Sequence, residues 1–173
     1  MDRHRKENLL ILAAAAVVVI SFLFMFSRNW HSRLNGNDSL DVTKIHEATA
    51  VSSFIGKGTE VSQDFVCPYN TVKELVIIFN KTDDTNQADV TISLRDGQDI
   101  VFSRTLSVQE IADQHRTRIS VGTGGLKGRS LCLEITADSD TGLALMIDEK
   151  TEASYRFDGQ TLKGTICFAL YGN

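Results

Sequence analysis

The hydrophobic pattern opens on an unbroken apolar run from Leu9 to Phe26, 18 residues in which Ser21 is the one polar member. At about 1.5 Å per residue, a helix of that length covers roughly 27 Å, close to the hydrocarbon thickness of a bilayer. A helix buried in a soluble core would keep a row of polar positions on one face, and a single serine makes no such face. A cleaved leader would carry an apolar stretch of roughly 7–15 residues followed by small residues at the cut. Here the run ends in Phe22, Leu23, Phe24, Met25 and Phe26. The pattern predicts a cytoplasmic N-terminus over 1–8 and a retained transmembrane anchor over 9–26. Arg3, Arg5 and Lys6 precede the run, whereas Arg28 and Arg33 follow it, so the basic excess places the N-terminus inside and the remainder outside. Trp30 suits the membrane interface.

Beyond the run the chain is polar, and Asn35, Gly36, Asn37 and Asp38 break any continuous helix, which predicts a juxtamembrane stalk over 27–50. From 51 to 173 the period becomes two. "ADVTISLRD" sets Val90, Ile92 and Leu94 against Thr91, Ser93 and Arg95, and "RTRISV", "SLCLEIT", "GLALMID" and "GTICFALYG" repeat the alternation. "KELVIIFN" is a continuous apolar run suited to a strand buried on both faces. Asp96-Gly97, Gly124-Gly125, Asp138-Ser139-Asp140 and Asp158-Gly159 supply turns, "LSVQEIAD" a single helical turn, and Pro68 ends the strand in "QDFVC". About eight short strands at this spacing predict an all-β fold, an antiparallel β-sandwich following one transmembrane helix.

Net charge is −4, so no basic field is present to hold nucleic acid or anionic lipid. Cys67, Cys132 and Cys167 are too widely spaced for a CxxC zinc or redox motif. Cys132 and Cys167 share a parity opposite to their apolar neighbours. On adjacent strands they would form a disulfide, and otherwise they are two small buried side chains. Two glycosylation triplets, at Asn37 and Asn80, are assigned no role.

Chemistry is sparsely signalled. The "TLKGTIC" stretch ending at Cys167 invites comparison with sortase transpeptidases, but Gly164 and Ile166 break that family's pattern and no arginine follows to activate the thiol. Asp148, Glu149 and Glu152 gather acids that a glycoside hydrolase would need across a cleft, yet their spacing is that of a solvated turn. A Ca²⁺ ion would draw on Asp83, Asp84 and Asp89, with Asn86, Asp96 and Asp99 nearby, although the spacing matches no EF-hand; the expectation is no cofactor, with Ca²⁺ as the alternative. His4, His31, His46 and His115 form no zinc pattern. Sugar binding needs exposed aromatic faces, for which Tyr69, Tyr155 and Phe157 are the candidates, with Tyr171 behind them.

The order of pieces carries a resemblance. "QDFVCPYNTVKELVIIFNKTDDTNQADVTISLRDGQDIVFSRTLSVQEIAD", then "HRTRISVGTGGLKGRSLCLEIT", "ALMIDEK" and "YRFDGQTLKGTICFALYG" resemble the extracytoplasmic jelly-roll domains of bacterial, often Gram-positive, membrane proteins. That group is similar to galactose-binding-like and carbohydrate-binding modules and accompanies glycosyltransferases of surface polysaccharide assembly. The likeness spans roughly Thr59 to Asn173 and rests on strand and turn motifs, with no site among them. It implies a jelly roll of about eight strands. The chain lacks a transferase segment, so any glycan chemistry falls to another protein.

The expectation is a single-pass cell-membrane protein whose outward domain binds an envelope glycan or an envelope partner protein without catalysis. The alternative is an assembly subunit of a larger membrane complex, with Ala13 to Ala16 as a smooth packing face. An enzyme acting on envelope polymers is the third.

Overall fold

The computed structural model describes residues 40–82 and 86–173. The apolar run Leu9–Phe26 lies outside the described residues, and among the described ones no helix is long and apolar enough to cross a membrane.

Twelve strands form here: β1 (Ala50–Val51), β2 (Glu60–Val66), β3 (Thr71–Lys81), β4 (Asp89–Asp96), β5 (Asp99–Ser107), β6 (Arg116–Gly124), β7 (Ser130–Ala137), β8 (Leu143–Asp148), β9 (Ser154–Phe157), β10 (Gln160–Lys163), β11 (Thr165–Ile166) and β12 (Phe168–Gly172). Every pairing is antiparallel. The first sheet runs β1-β8-β3-β12, with β6 also on β3 and β11 also on β8; the second runs β10-β9-β2-β7-β4-β5. The two pack face to face as a sandwich. Val61, Phe65, Ile92, Leu94, Leu133 and Ile135 of the second sheet meet Leu75, Ile77, Phe79, Ile119, Leu145 and Phe168 of the first in one apolar core.

The alternation read from the sequence is the alternation observed. In β7, Leu131, Leu133 and Ile135 are buried while Cys132, Glu134 and Thr136 are not. The continuous run in β3 has Val76 and Ile77 both fully buried, as expected of a strand covered on its two faces. The helical turn in "LSVQEIAD" is a 3₁₀ turn over Val108–Glu110. A capping box starts it, with Ser107 accepting from Gln109 N–H and Glu110 accepting from Ser107 N–H. At the β9–β10 hairpin, Asp158 and Gly159 both take positive φ, 49° and 76°, the twist that a two-residue turn between right-twisted strands requires.

Two differences bear on the site. The strand count exceeds eight in part because "GTICFALYG" is two strands, with β1 and β10 among the other short additions. At Cys167 the chain changes partner: its N–H donates to Met146 O on β8, and its carbonyl accepts from Ile78 N–H on β3. Gly172, at the far end of β12, lies so close to β3 that a Cβ there would run into the Thr71 carbonyl oxygen.

The second difference concerns the stalk. From Leu40 onward the chain is docked on the sandwich. Val42 is 2% exposed and belongs to the core, and its carbonyl accepts from Leu170 N–H on β12 at 2.8 Å. Thr49 N–H donates to Ile147 O on β8, on the side opposite β11, so the segment runs along the free edges of β12 and β8 and continues into β1. The expected boundary at residue 50 therefore falls about ten residues too late. Composition reports polarity, and a mostly polar segment still docks when one valine and a few backbone bonds find partners.

Candidate functional site

The outer face of the second sheet gathers the most polar chemistry among the described residues. Because side chains alternate along a strand, burying Val61, Gln63 and Phe65 turns Ser62 and Asp64 outward on β2. The same alternation sends Arg156 outward from β9, Cys132 and Glu134 from β7, and Thr91, Ser93 and Arg95 from β4. The strand register lines these positions up in rows. One row reads Arg156, Ser62, Glu134, Ser93 and Ser103; a second reads Asp64, Cys132 and Arg95; a third reads Glu60, Thr136, Thr91 and Thr105.

Hydrogen bonds join the rows. Arg156 Nε donates to Ser62 Oγ at 3.0 Å, and Arg156 Nη1 and Nη2 reach the two oxygens of Asp64 at 3.1 and 3.4 Å. Arg95 makes the matching fork on Glu134, at 2.7 and 3.3 Å. Forked guanidinium–carboxylate contacts fix orientation as well as charge. Towards β5, Ser93 Oγ lies 3.0 Å from Ser103 Oγ, and Thr91 Oγ1 lies 3.0 Å from Thr105 Oγ1. Ser62 and Ser93 are 1% and 4% exposed although they face outward, so the long arms of neighbouring residues fold over the short hydroxyls. Burial opposes the charge on Arg156, but the Asp64 carboxylate outweighs it and pushes the guanidinium up from its ordinary value; Glu134 does the same for Arg95.

The expected aromatic platforms are not on this face. Tyr155 points into the core and is buried, and Phe157 and Tyr69 are half-buried against it. Their availability to a sugar was an exposure question, and alternation in "SYRF" sends Arg156 out and the two rings in. Tyr171, on β12, is half-buried.

Of the two readings of Cys132 and Cys167 the bridge does not form, and all three cysteines are free. Their shared parity holds, but it places them on the outer faces of different sheets, Cys132 on β7 and Cys167 between β11 and β12. Burial, followed by the Asp64 carboxylate, pushes the Cys132 thiol up to about 12; burial, followed by Asp148, does the same to Cys167; and burial raises Cys67. A thiol so held is protonated at neutral pH and is a poor nucleophile. At pH 8 the folded chain is expected to resist iodoacetamide at all three positions while the denatured chain alkylates fully. Rapid labelling of one cysteine in the folded protein would contradict this assignment.

Of the calcium candidates, Asp83 and Asp84 lie outside the described residues. Asp89 is exposed, and its backbone N–H donates to Asp138 Oδ1. Its neighbours brace loops: Asn86 donates to the Asp140 carbonyl, and Asp140 Oδ1 accepts from Lys57 N–H. Among the described residues no three His, Cys, Asp or Glu side chains gather to hold a metal ion. The acidic trio divides: Asp148 is buried, Glu149 is exposed, and Glu152 pairs with Lys163 at the surface.

Two features escaped sequence reasoning. Asp148 is joined by His46, whose Nδ1 lies 3.3 Å from Asp148 Oδ2. Gln63 is buried between the sheets, where its Oε1 accepts from Ile166 N–H at 2.8 Å. A polar residue on the inward parity of "EVSQDFV" was the available signal for the second; the first pair is separated by about a hundred residues and had none. The sequence matches no protein-family model and no curated protein. The fold and the face define the class, an antiparallel β-sandwich with a polar, ion-paired outer sheet.

Proposed function

We propose that this chain is a membrane-anchored, non-catalytic binding module, a jelly roll that offers the outer face of the second sheet to an extracytoplasmic glycan. The observation that carries the reading is the two forked arginine–carboxylate pairs, Arg156–Asp64 and Arg95–Glu134, flanked on the β5 side by the exposed hydroxyls of Ser103 and Thr105. Rows on adjacent strands repeat at about 4.8 Å, and donors and acceptors alternate across them, a pattern that suits a polyol better than a single ion. The resemblance to carbohydrate-binding-like jelly rolls and the apolar run Leu9–Phe26 point the same way. The protonated thiols weigh against a cysteine nucleophile, which makes an enzyme the least supported reading.

The assembly-subunit reading has one observation of its own. Val51 and Phe54, at the β1 edge, are 47% and 57% exposed, and large apolar groups in such positions suit a protein contact.

The test retains the full chain, in detergent micelles, on an array of bacterial envelope polysaccharides. Specific retention is expected, and Arg95→Ala with Arg156→Ala should weaken it about tenfold or more through loss of charge-assisted hydrogen bonds. Val51→Ser with Phe54→Ser should leave it unchanged. Absence of retention, or retention indifferent to the arginine pair, would sink the glycan reading. Co-purification of a membrane protein that is lost on changing Val51 and Phe54 would install the alternative.

A further inference from the structure

The outer face of the second sheet holds a carboxylate in excess, and that excess restricts which glycans it can take. Its outward charges are Glu60 and Asp64 on β2, Glu134 on β7, Arg95 on β4 and Arg156 on β9. Asp64 is engaged by Arg156 and Glu134 by Arg95. Glu60 is exposed, and among the described residues no side chain pairs with its carboxylate. It stands two residues from Ser62 on the same side of β2, roughly 7 Å along the strand. Beyond it the margin is no more basic: Asp89 and Asp138 are both exposed, and Lys57 is the cation near them.

The two guanidiniums keep donors but little net field. Arg95 gives Nε and Nη2 to Glu134, which leaves the Nη1 hydrogens for a ligand. Arg156 is more fully engaged, with Ser62, Asp64 and Cys132 Sγ. A neutral acceptor, such as a sugar hydroxyl or an amide carbonyl, can take the free hydrogens of Arg95. A carboxylate or phosphate finds each guanidinium already neutralised, and it meets the repulsion of Glu60 besides. An ammonium group finds the reverse, an unpaired carboxylate able to accept a charge-assisted hydrogen bond.

We propose, resting on the glycan reading of this face, that it selects its glycan by charge: sugars with free amino groups ahead of neutral sugars, and neither uronate- nor phosphate-bearing polymers. Glu60 sets that order. An ammonium on one sugar donates to Glu60, while hydroxyls further along the polymer accept from Arg95 and meet Ser103 and Thr105 on β5.

Because the whole chain carries a net charge of −4, the test must separate position from net charge. The full chain in detergent micelles is applied to oligomers of glucosamine, N-acetylglucosamine and galacturonate of matched length. At an ionic strength of about 0.1 M, exposed charges more than about 10 Å away are largely screened. Glucosamine oligomers should be held about fivefold more tightly than the acetylated ones, and the galacturonate oligomers should not be retained. Glu60→Gln should remove the difference between the first two, and Glu60→Lys should place the acetylated oligomers ahead. Both variants should hold the acetylated oligomers as the wild type does. Glu47→Lys makes the same charge change at an exposed position in the segment Leu40–Thr49, and it should keep the wild-type order. Equal or tighter retention of galacturonate, or an order that Glu60→Lys does not move, would overturn the proposal and leave the glycan reading standing. An order moved as far by Glu47→Lys would overturn it too, because net charge would then explain the preference. Retention of none of the three would also overturn it, and the polysaccharide array then decides whether the glycan reading falls with it.

Discussion

Gln63→Ala is expected to lower the stability of the sandwich by about 3 kcal/mol or more, in spite of Gln63 being polar and in a core. Gln63 is 1% exposed on β2 and reaches across to the first sheet. Its Nε2 donates to Thr165 Oγ1 at 2.9 Å, and its Oε1 accepts from Ile166 N–H at 2.8 Å. Thr165 and Ile166 are themselves fully buried. Truncation leaves a buried N–H with no acceptor, at about 1–3 kcal/mol, and a cavity besides. Gln63→Leu fills the cavity without supplying the acceptor, so it should remain destabilised. Adding Thr165→Val should not restore stability, because the orphaned group belongs to the backbone of Ile166. Urea unfolding of the full chain in detergent, followed by circular dichroism, gives the differences. A Gln63→Leu chain as stable as the wild type would remove this account of how β11 is held.

Phe168→Ala should cost about 3–5 kcal/mol, the usual penalty for deleting a buried phenyl ring. Phe168 opens β12 and meets Phe65 of β2 edge to face, with ring centroids 5.3 Å apart and planes at 61°. Both rings are 1% exposed, so the pair joins the two sheets where β11 gives way to β12. Phe168→Leu keeps most of the volume and should cost well under half as much. A double-mutant cycle with Phe65→Leu should return a coupling of about 0.5–1.5 kcal/mol for the aromatic pair. The same unfolding experiment measures all four variants, the double mutant included, and zero coupling would show that the rings merely fill space.

These two residues illustrate how unevenly the chain can be read. Phe168 sits in an alternating strand, and its inward position was legible from "GTICFALYG" alone. Gln63 lies on the same inward parity as Val61 and Phe65, yet its partners are 102 and 103 residues away and no local pattern names them. The outer face behaves similarly. Alternation sends Ser62, Asp64, Arg156, Glu134 and Arg95 outward strand by strand, but which arginine meets which acid depends on β9 lying beside β2 and β7 lying beside β4. Ring type names Tyr155 and Phe157 as sugar platforms, but their exposure is set by the packing of the two sheets, which turns both inward. For the cysteines, parity is legible strand by strand, but whether their strands are neighbours depends on the sheet order.

The residues alone determined the all-β class, most strand positions, the turns at Asp158-Gly159 and around Val108, and the apolar run at the start. Each of these follows from a period of two, a run length or a backbone preference confined to neighbouring residues. Tertiary structure alone decided the strand order, the partners of Gln63 and Arg156, the opposite placement of Cys132 and Cys167, and the docking of Leu40–Thr49 through His46 and Asp148. Those depend on contacts between residues far apart in the chain, which form only when the two sheets close on a shared core.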